Sequence, residues 1–293
     1  MILFLAASPS LDLTYEVDRL ERGGVTRPRR VTAVPGGKAL NAARVAMALG
    51  GAARLVAPLG GATGRRVAAL LAEEGVGARL VEVSGETRSC LAIVEDGDRP
   101  TSTDLYEASA PFVEGEWRAL AEAIRAEGAD AAPRWLALSG SVPAGIQLDE
   151  LGELLREVRA ASGARLAVDS SGAPLAALAG IADLVKVNLG EAAELLGAAP
   201  PDAAAACAAL AERFGTDSVV TDGVRGAAAL LGGVGFAVAA PRAAGRFPAG
   251  SGDAFFGALL AALDAGHGPG AALEAARDAA ERNAAVPGQG RLA

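Results

Sequence analysis

Along the chain, short apolar runs rich in β-branched residues recur at regular intervals: ILFLA at 2–6, ARLVA at 53–57, ARLVEV at 78–83, WLALS at 135–139, RLAVDS at 165–170, DLVKV at 183–187 and DSVVT at 217–221. Between them, helical periodicity marks about 38–49, 64–74, 115–127, 148–161, 202–214, 252–265 and 269–285. Continuous apolar strands that alternate with helices of ten to fifteen residues predict βαβ units, with helices on both faces of a mostly parallel sheet. Two segments, 12–34 and 87–108, instead alternate apolar and polar positions around the turn signals ERGG and EDGD. They predict hairpins attached to the α/β body as a small sheet over one edge. No internal repeat is visible, and the Ala-rich tracts near 200 and 280 are helical in pattern.

Composition narrows the function classes. The chain has 293 residues, 51% of them hydrophobic and 21% charged, enough for a large core and too apolar for global disorder. A net charge of -8, with only Arg27, Arg29 and Arg30 as a short basic cluster, argues against a nucleic-acid partner. No apolar run reaches the roughly 18 residues needed to span a bilayer. The N-terminus turns polar within eight residues and lacks a basic leader, so it reads as a first strand in a cytoplasmic protein. Cys90 and Cys207 have no spacing that suggests a disulfide framework or a metal site. The single histidine, His267, lies in a Gly/Pro-rich loop, which excludes multi-histidine metal centres. Only Lys38 and Lys186 are lysines among 27 basic residues. Lysine is a compact point charge where arginine is a wide fork, so these two positions are candidates for a specific ammonium.

Two glycine-rich helix starts carry the candidate chemistry. In Val34-Pro-Gly-Gly-Lys-Ala-Leu-Asn41, Gly36 and Gly37 allow close backbone approach, and Asn41 one turn on can donate to and accept from a sugar diol. A glycine turn before a packed helix has the same pattern. In Ala249-Gly-Ser-Gly-Asp253, Gly250, Ser251 and Gly252 form an anion nest at the positive end of a helix dipole, and Asp253 sits in its first turn. Asp253 is either an ordinary helix start or the acceptor of a hydroxyl proton in phosphoryl transfer. No Walker A loop and no G-x-G-x-x-G after a strand is present. In Leu184-Val-Lys-Val-Asn-Leu-Gly-Glu191, Asn188 and Glu191 either form a capping box or orient waters around a magnesium ion.

Taken in order, these segments resemble the PfkB (ribokinase-like) family of carbohydrate kinases, and within it the hexose-phosphate branch. The resemblance covers nearly all of the chain as one kinase domain. It rests on Ser8-Pro-Ser-Leu-Asp12, Pro35-Gly-Gly-Lys-Ala-Leu-Asn41, Thr87-Arg88, Ser139-Gly-Ser-Val-Pro-Ala-Gly145, Val168-Asp-Ser-Ser171, Lys186 with Asn188 and Glu191, Gly223 with Gly226, and Gly250-Ser-Gly-Asp253. It implies a three-layer α/β/α domain with 12–34 and 87–108 as a β lid, through which a homodimer pairs. It implies ATP and Mg2+ with a sugar phosphate as acceptor. Asp253 would be the catalytic base in the loop Gly250, Ser251, Gly252. Asp12, Arg27, Gly36, Gly37, Lys38, Asn41, Arg88 and Ser139 would hold the sugar phosphate. Lys186, Asn188, Gly223, Gly226 and Asn283 would hold ATP, with Asn188 and Glu191 holding magnesium through water. A substrate that brings its own phosphate into an acidic protein needs local positive charge, and Arg88 is the leading candidate.

Three positions depart from the family pattern: Val187 replaces a proline, Pro248 replaces a threonine near the phosphates, and the chain stops soon after Gly290. The branch members 1-phosphofructokinase, 6-phosphofructokinase and tagatose-6-phosphate kinase are all compatible; GGK-x-x-N favours fructose 1-phosphate as acceptor, while PSLD and GGATG resemble the minor 6-phosphofructokinases almost as well. A sugar-phosphate-binding relic without turnover is the non-enzyme alternative.

Overall fold

The computed structural model describes residues 1–96, 101–242 and 245–293. The expected EDGD turn falls partly on 97–100, outside the described residues. Strand β1 (Ile2–Leu5) is followed by β2 (Ser10–Val17), β3 (Arg30–Gly36), α1 (Lys38–Ala48), β4 (Ala53–Leu59), α2 (Gly61–Glu73) and β5 (Ala78–Glu82). Then come β6 (Arg88–Glu95), β7 (Thr101–Tyr106), α3 (Glu116–Ala131), β8 (Trp135–Ser139), α4 (Leu148–Ser162), β9 (Arg165–Asp169) and α5 (Gly172–Leu178). The last third holds β10 (Leu184–Asn188), α6 (Leu189–Leu196), α7 (Ala203–Phe214), β11 (Asp217–Thr221), β12 (Ala227–Leu231), β13 (Val234–Val238), α8 (Ser251–Asp264) and α9 (Pro269–Ala284).

Nine strands form the central sheet in the order β13-β12-β11-β10-β9-β8-β1-β4-β5. Pairings from β11 through to β5 are parallel, and β12 and β13 add an antiparallel edge that the apolar runs did not announce. The residues of 227–238 are mostly Ala and Gly, so their pattern lacks the β-branched signature that marked the other strands. Both faces are covered. In β1, Ile2 and Phe4 pack with α1, α8 and α9, whereas Leu3 and Leu5 pack with α3 and α4 on the other side. This is the three-layer α/β/α arrangement expected from the periodicity. Helix α2 begins at Gly61, one turn earlier than its pattern indicated, and α5 is a short helix absent from it. Among the described residues, no helix is long and apolar enough to cross a membrane.

A second sheet has the order β3-β2-β6-β7. Its hairpins β2–β3 and β6–β7 are antiparallel, and they join through parallel pairing of β2 with β6. On β2, Ser10, Asp12, Thr14 and Glu16 are buried polar residues on one face, aimed at the α/β body. In open parallel sheets, ligands bind outside the carboxyl ends of the strands. Here β8, β9, β10 and β11 end at Ser139, Asp169, Asn188 and Thr221, and the polar face of the second sheet stands beside this end through Asp12.

Candidate active site

Three charged side chains from three elements meet at the strand ends. Asp169, the last residue of β9, is fully buried and accepts from Lys38 Nζ at 3.2 Å through Oδ1 and from Lys186 Nζ at 3.2 Å through Oδ2. Lys186 points inward from the middle of β10, and Lys38 is the first residue of α1. Burial alone would raise the Asp169 pKa, but the two ammonium groups reverse that and hold it below the ordinary carboxylate value. Lys38 in turn is driven upward by Asp169 against its own desolvation. Lys38 is therefore fixed as a cation, and Asp169 holds the two lysine side chains side by side at the strand ends.

Helix α8 opens beside this clamp. Gly250 takes φ +82°, a left-handed conformation that turns the chain into the helix and that a side chain would strain. Ser251 N donates to Pro248 O and Ala254 N to Gly250 O. The Gly252 and Asp253 amides have no carbonyl partner within the helix and carry the positive end of its dipole. Asp253 is only 8% exposed, and its Oδ2 accepts from Asn41 Nδ2 at 2.9 Å. Burial pushes its pKa up to about 7; Lys38 pulls against this and the nearby Asp169 charge adds to it. At neutral pH this carboxyl can both take up and release a proton.

The second sheet supplies the facing wall. Asp12 accepts from Ser10 Oγ at 2.6 Å, and Asn41 Nδ2 stands 3.5 Å from its Oδ2. Burial raises the Asp12 pKa, with Ser10, Asn41 and the Gly37 amide opposing it. A Cβ on Gly36 would lie 1.9 Å from Asp12 Cγ, so only glycine lets β3 pass this carboxylate. Among the described residues, Asn41 Oδ1 and Ser139 Oγ are buried without a hydrogen-bond partner, which leaves two acceptors for a polar ligand. Arg88, paired in register with Ser10, holds the Glu107 and Ser8 carbonyls, while its Nε is buried and unpartnered among the same residues.

On the other side of the α8 start is a cavity of about 480 Å3. Its walls include Gly223, Val224, Gly226, Val238 and Ala280, and it reaches Ser251 and Gly252 at the helix terminus. The arrangement is a cluster of polar and charged side chains and an apolar slot, on either side of an anion nest with a carboxylate.

The chain matches the family model described as pfkB family carbohydrate kinase over residues 6–291. It belongs to the pfkB family of carbohydrate kinases, which are phosphotransferases. It is 34% identical over 200 residues to the ATP-dependent 6-phosphofructokinase isozyme 2 of Escherichia coli, a match that covers 67% of this chain and 62% of that relative's length. It resembles the crystal structure of phosphofructokinase-2 from Escherichia coli in complex with potassium, with a TM-score of 0.88 at 28% identity over 99% of this chain and 94% of the other. It also resembles a structure described as the tetrameric inhibited form of that enzyme, with a TM-score of 0.83 at 28% identity over 97% and 92% of the two chains.

Within this pfkB kinase fold, most residues singled out from the sequence come together, and some do not. Asp12, Gly36, Gly37, Lys38, Asn41, Ser139, Lys186 and Asp253 surround one cleft, and Gly223, Gly226 and Pro248 line the apolar slot. Asn283 does not face the slot. It is buried, donates to Ala249 O at 3.0 Å and accepts from Gly290 N at 2.8 Å, and so ties the Gly250 loop to the C-terminal segment. Arg27 is exposed in the connection between β2 and β3 and, among the described residues, makes no hydrogen bond or ion pair to the cleft. Its neighbours Arg29 and Arg30 are ion-paired to Asp18, Asp96 and Glu16. Asn188 and Glu191 form the capping box: Asn188 Oδ1 accepts from Glu191 N, and Glu191 Oε2 accepts from Asn188 N, both at 2.8 Å. Glu191 Oε1 stays outside the cap, 3.7 Å from Lys38 Nζ.

Asp169 is the site residue that sequence reasoning undervalued, although it lies in the quoted VDSS segment. The available signal was indirect: two lysines in an arginine-rich chain, both needing one buried carboxylate. Gln289, whose Oε1 is 3.5 Å from Asn41 Nδ2, carried no signal at all.

Proposed function

We propose that this chain is an ATP-dependent hexose-phosphate kinase that transfers the γ-phosphoryl group to a primary hydroxyl of a phosphorylated ketohexose, with fructose 6-phosphate as the acceptor. The observation that carries this reading is Asp253: a buried carboxylate with a pKa of about 7, in the first turn of a helix whose free amides adjoin it, facing Asn41 and Asp12. In the reaction the acceptor hydroxyl oxygen bonds to the γ-phosphorus while its proton passes to Asp253, and the bond from that phosphorus to the β–γ bridging oxygen breaks to release ADP. The α8 amides, Lys38 and Lys186 offset the charge on the transferring group. Asp12 and Asn41 grip sugar hydroxyls, Ser139 offers one more hydroxyl contact, and Arg88 meets the substrate phosphate with its unpartnered edge.

The apolar slot of about 480 Å3 suits an adenine base, and its continuity with Gly252 supports a triphosphate that runs to the nest. Among the described residues there is no group of three or more potential metal ligands. The donor set fits Mg2+ only as an ion that arrives on the phosphates and keeps its waters, with Glu191 Oε1 as the carboxylate left over from the cap. When bound, the ion neutralises phosphate charge.

The relatives' name favours fructose 6-phosphate over the fructose 1-phosphate preferred from the GGK-x-x-N segment. Coupled ADP release with fructose 6-phosphate, fructose 1-phosphate and tagatose 6-phosphate tests this. The highest kcat/KM is expected with fructose 6-phosphate; a higher value with fructose 1-phosphate would reverse the acceptor, and no ADP release with any of them would leave a binding protein. Assembly through the second sheet is part of the same reading. Its outer face carries Leu13, Tyr15, Val31, Leu91, Ile93 and Leu105, with Val31 50% and Leu105 54% exposed, an apolar surface suited to a second copy. Sedimentation should give at least a dimer, and Leu105→Glu should shift it toward monomer.

A further inference from the structure

Strand β7 is one edge of the second sheet, and its last residue, Tyr106, has no role in the phosphoryl transfer described so far. Asp12 pairs in register with Cys90, and Cys90 pairs with Tyr106, so the three form one row across β2, β6 and β7. Residues directly opposite one another put their side chains on the same face, so Tyr106 shares the face of Asp12 and not that of Leu105. The row passes from buried to open: Asp12 and Cys90 are 2% and 4% exposed, and Tyr106 is 56% exposed. An inward-facing residue that is half-exposed marks where the edge strand overhangs the mouth of the cleft. The phenol is weakly engaged, its hydroxyl 3.5 Å from Asp104 Oδ2. Partial burial and the neighbouring charges, Asp104 first and then Asp12, Cys90 and Asp253, hold its ionisation above the usual tyrosine range. The hydroxyl is therefore a neutral donor at working pH, within the electrostatic reach of the carboxylates on both sides of the cleft.

We propose that Tyr106 contacts the acceptor sugar, its ring covering a carbon–hydrogen face and its hydroxyl donating to a sugar oxygen. An aromatic ring with a polar tip suits a ligand that has both apolar and hydroxyl faces. The contact would let the sheet edge read the sugar part of the substrate while Arg88 reads its phosphate. This inference rests on the hexose-phosphate reading.

The test compares wild type with Tyr106→Phe and Tyr106→Ala, using fructose 6-phosphate and ATP. Loss of one hydrogen bond in Tyr106→Phe should raise KM for fructose 6-phosphate roughly two- to tenfold. Loss of the ring as well in Tyr106→Ala should raise it roughly tenfold or more. KM for ATP and the melting temperature of the free protein should stay at wild-type values. The rise in melting temperature caused by fructose 6-phosphate alone should shrink in the same order. Unchanged KM and unchanged ligand-induced melting shift in Tyr106→Ala would overturn the proposal. So would equal damage to both KM values together with an altered sedimentation coefficient, which would make Tyr106 an assembly residue. If wild type binds fructose 6-phosphate but releases no ADP, the kinase reading fails and the melting shifts still decide Tyr106; if it neither binds nor turns over, both fail.

Discussion

Two carboxylates lie in the floor of the same cleft, and their protons behave in opposite ways. Asp169 at the end of β9 is 0% exposed, and Asp253 at the start of α8 is 8% exposed, so both suffer nearly the same desolvation. Asp169 has an ammonium on each oxygen and is held ionised. Asp253 has one neutral amide donor, a lysine that favours its charge less than burial opposes it, and the charge of Asp169 nearby; its pKa climbs to about 7. Burial sets the size of the penalty and the immediate neighbours set who escapes it. Environments that push two carboxyl groups apart in this way separate a fixed charge from a proton carrier. The ionised Asp169 also anchors both lysine side chains, and its charge helps to raise the Asp253 pKa.

The largest expected effect strikes the carrier. Asp253→Asn should lower kcat by roughly 10²–10⁴-fold with binding of fructose 6-phosphate retained, as measured by ADP release and by ligand-induced melting shift. Near-wild-type turnover would remove Asp253 from the role of proton acceptor. Its stability should move the other way. Between the ordinary value of 3.8 and about 7, the folded state holds a proton that the unfolded state has lost, so Asp253 makes stability fall as pH rises through that window. At pH 8 the Asn variant should melt no lower than wild type.

The fixed charge should respond in the reverse sense. Asp169→Asn strands two ammonium groups that are built around it, and breaking such a buried pairing costs about 3–5 kcal/mol, on the order of 10 °C in melting temperature for a chain of this size. Because the Asp169 pKa is depressed, its contribution is present above 3.8 and is lost only as pH falls through the folded value below it. If both Asn variants destabilise equally at pH 8, the contrast between the two groups is wrong.

A smaller effect belongs to the cleft wall. Arg88→Ala should raise KM for fructose 6-phosphate by about one to two orders of magnitude, the loss of a charge-assisted hydrogen bond, with KM for ATP nearly unchanged. Equal rises in both would show that Arg88 braces the Ser8 and Glu107 carbonyls instead. The smallest effect is expected for Glu191→Gln. If Glu191 Oε1 serves magnesium, the magnesium requirement rises and the melting temperature barely moves; a lower melting temperature at constant magnesium dependence would confine Glu191 to its capping box.

Much of this site is legible in the amino-acid sequence, because its parts are local. A glycine-rich helix start, as at Gly250–Asp253 or Gly36–Asn41, is encoded in a few consecutive residues, and its chemistry follows from helix-end geometry. The same holds for the alternation of strands and helices, which reproduced the three layers. What escaped depends on residues far apart in sequence. Asp169 acquires its meaning only where β9, β10 and α1 converge, with partners 131 and 17 residues away. Asn283 ties the Gly250 loop to the C-terminal segment through contacts 34 and 7 residues away, which no local pattern announces. Arg27 is exposed in the connection between β2 and β3, and its neighbours Arg29 and Arg30 pair with Asp18, Asp96 and Glu16, contacts that the basic run alone does not specify. The Ala/Gly edge β12–β13 shows the same limit for the fold: sheet edges whose side chains are small leave no hydrophobic period to read.

The pH dependence of kcat/KM for fructose 6-phosphate, measured for wild type and Asp253→Asn from about pH 5.5 to about 9, addresses the contrast most directly, since this ratio reports groups of the free enzyme. Wild type should rise tenfold per pH unit on the acid side and level off near pH 7, where Asp253 loses its proton. The phosphate of the substrate also titrates near 6, so the variant supplies the control: it should retain any limb due to the substrate and lose the one near 7. A wild-type profile flat across neutrality, or a limb near 7 that survives in Asp253→Asn, would contradict the assignment of the mobile proton to Asp253.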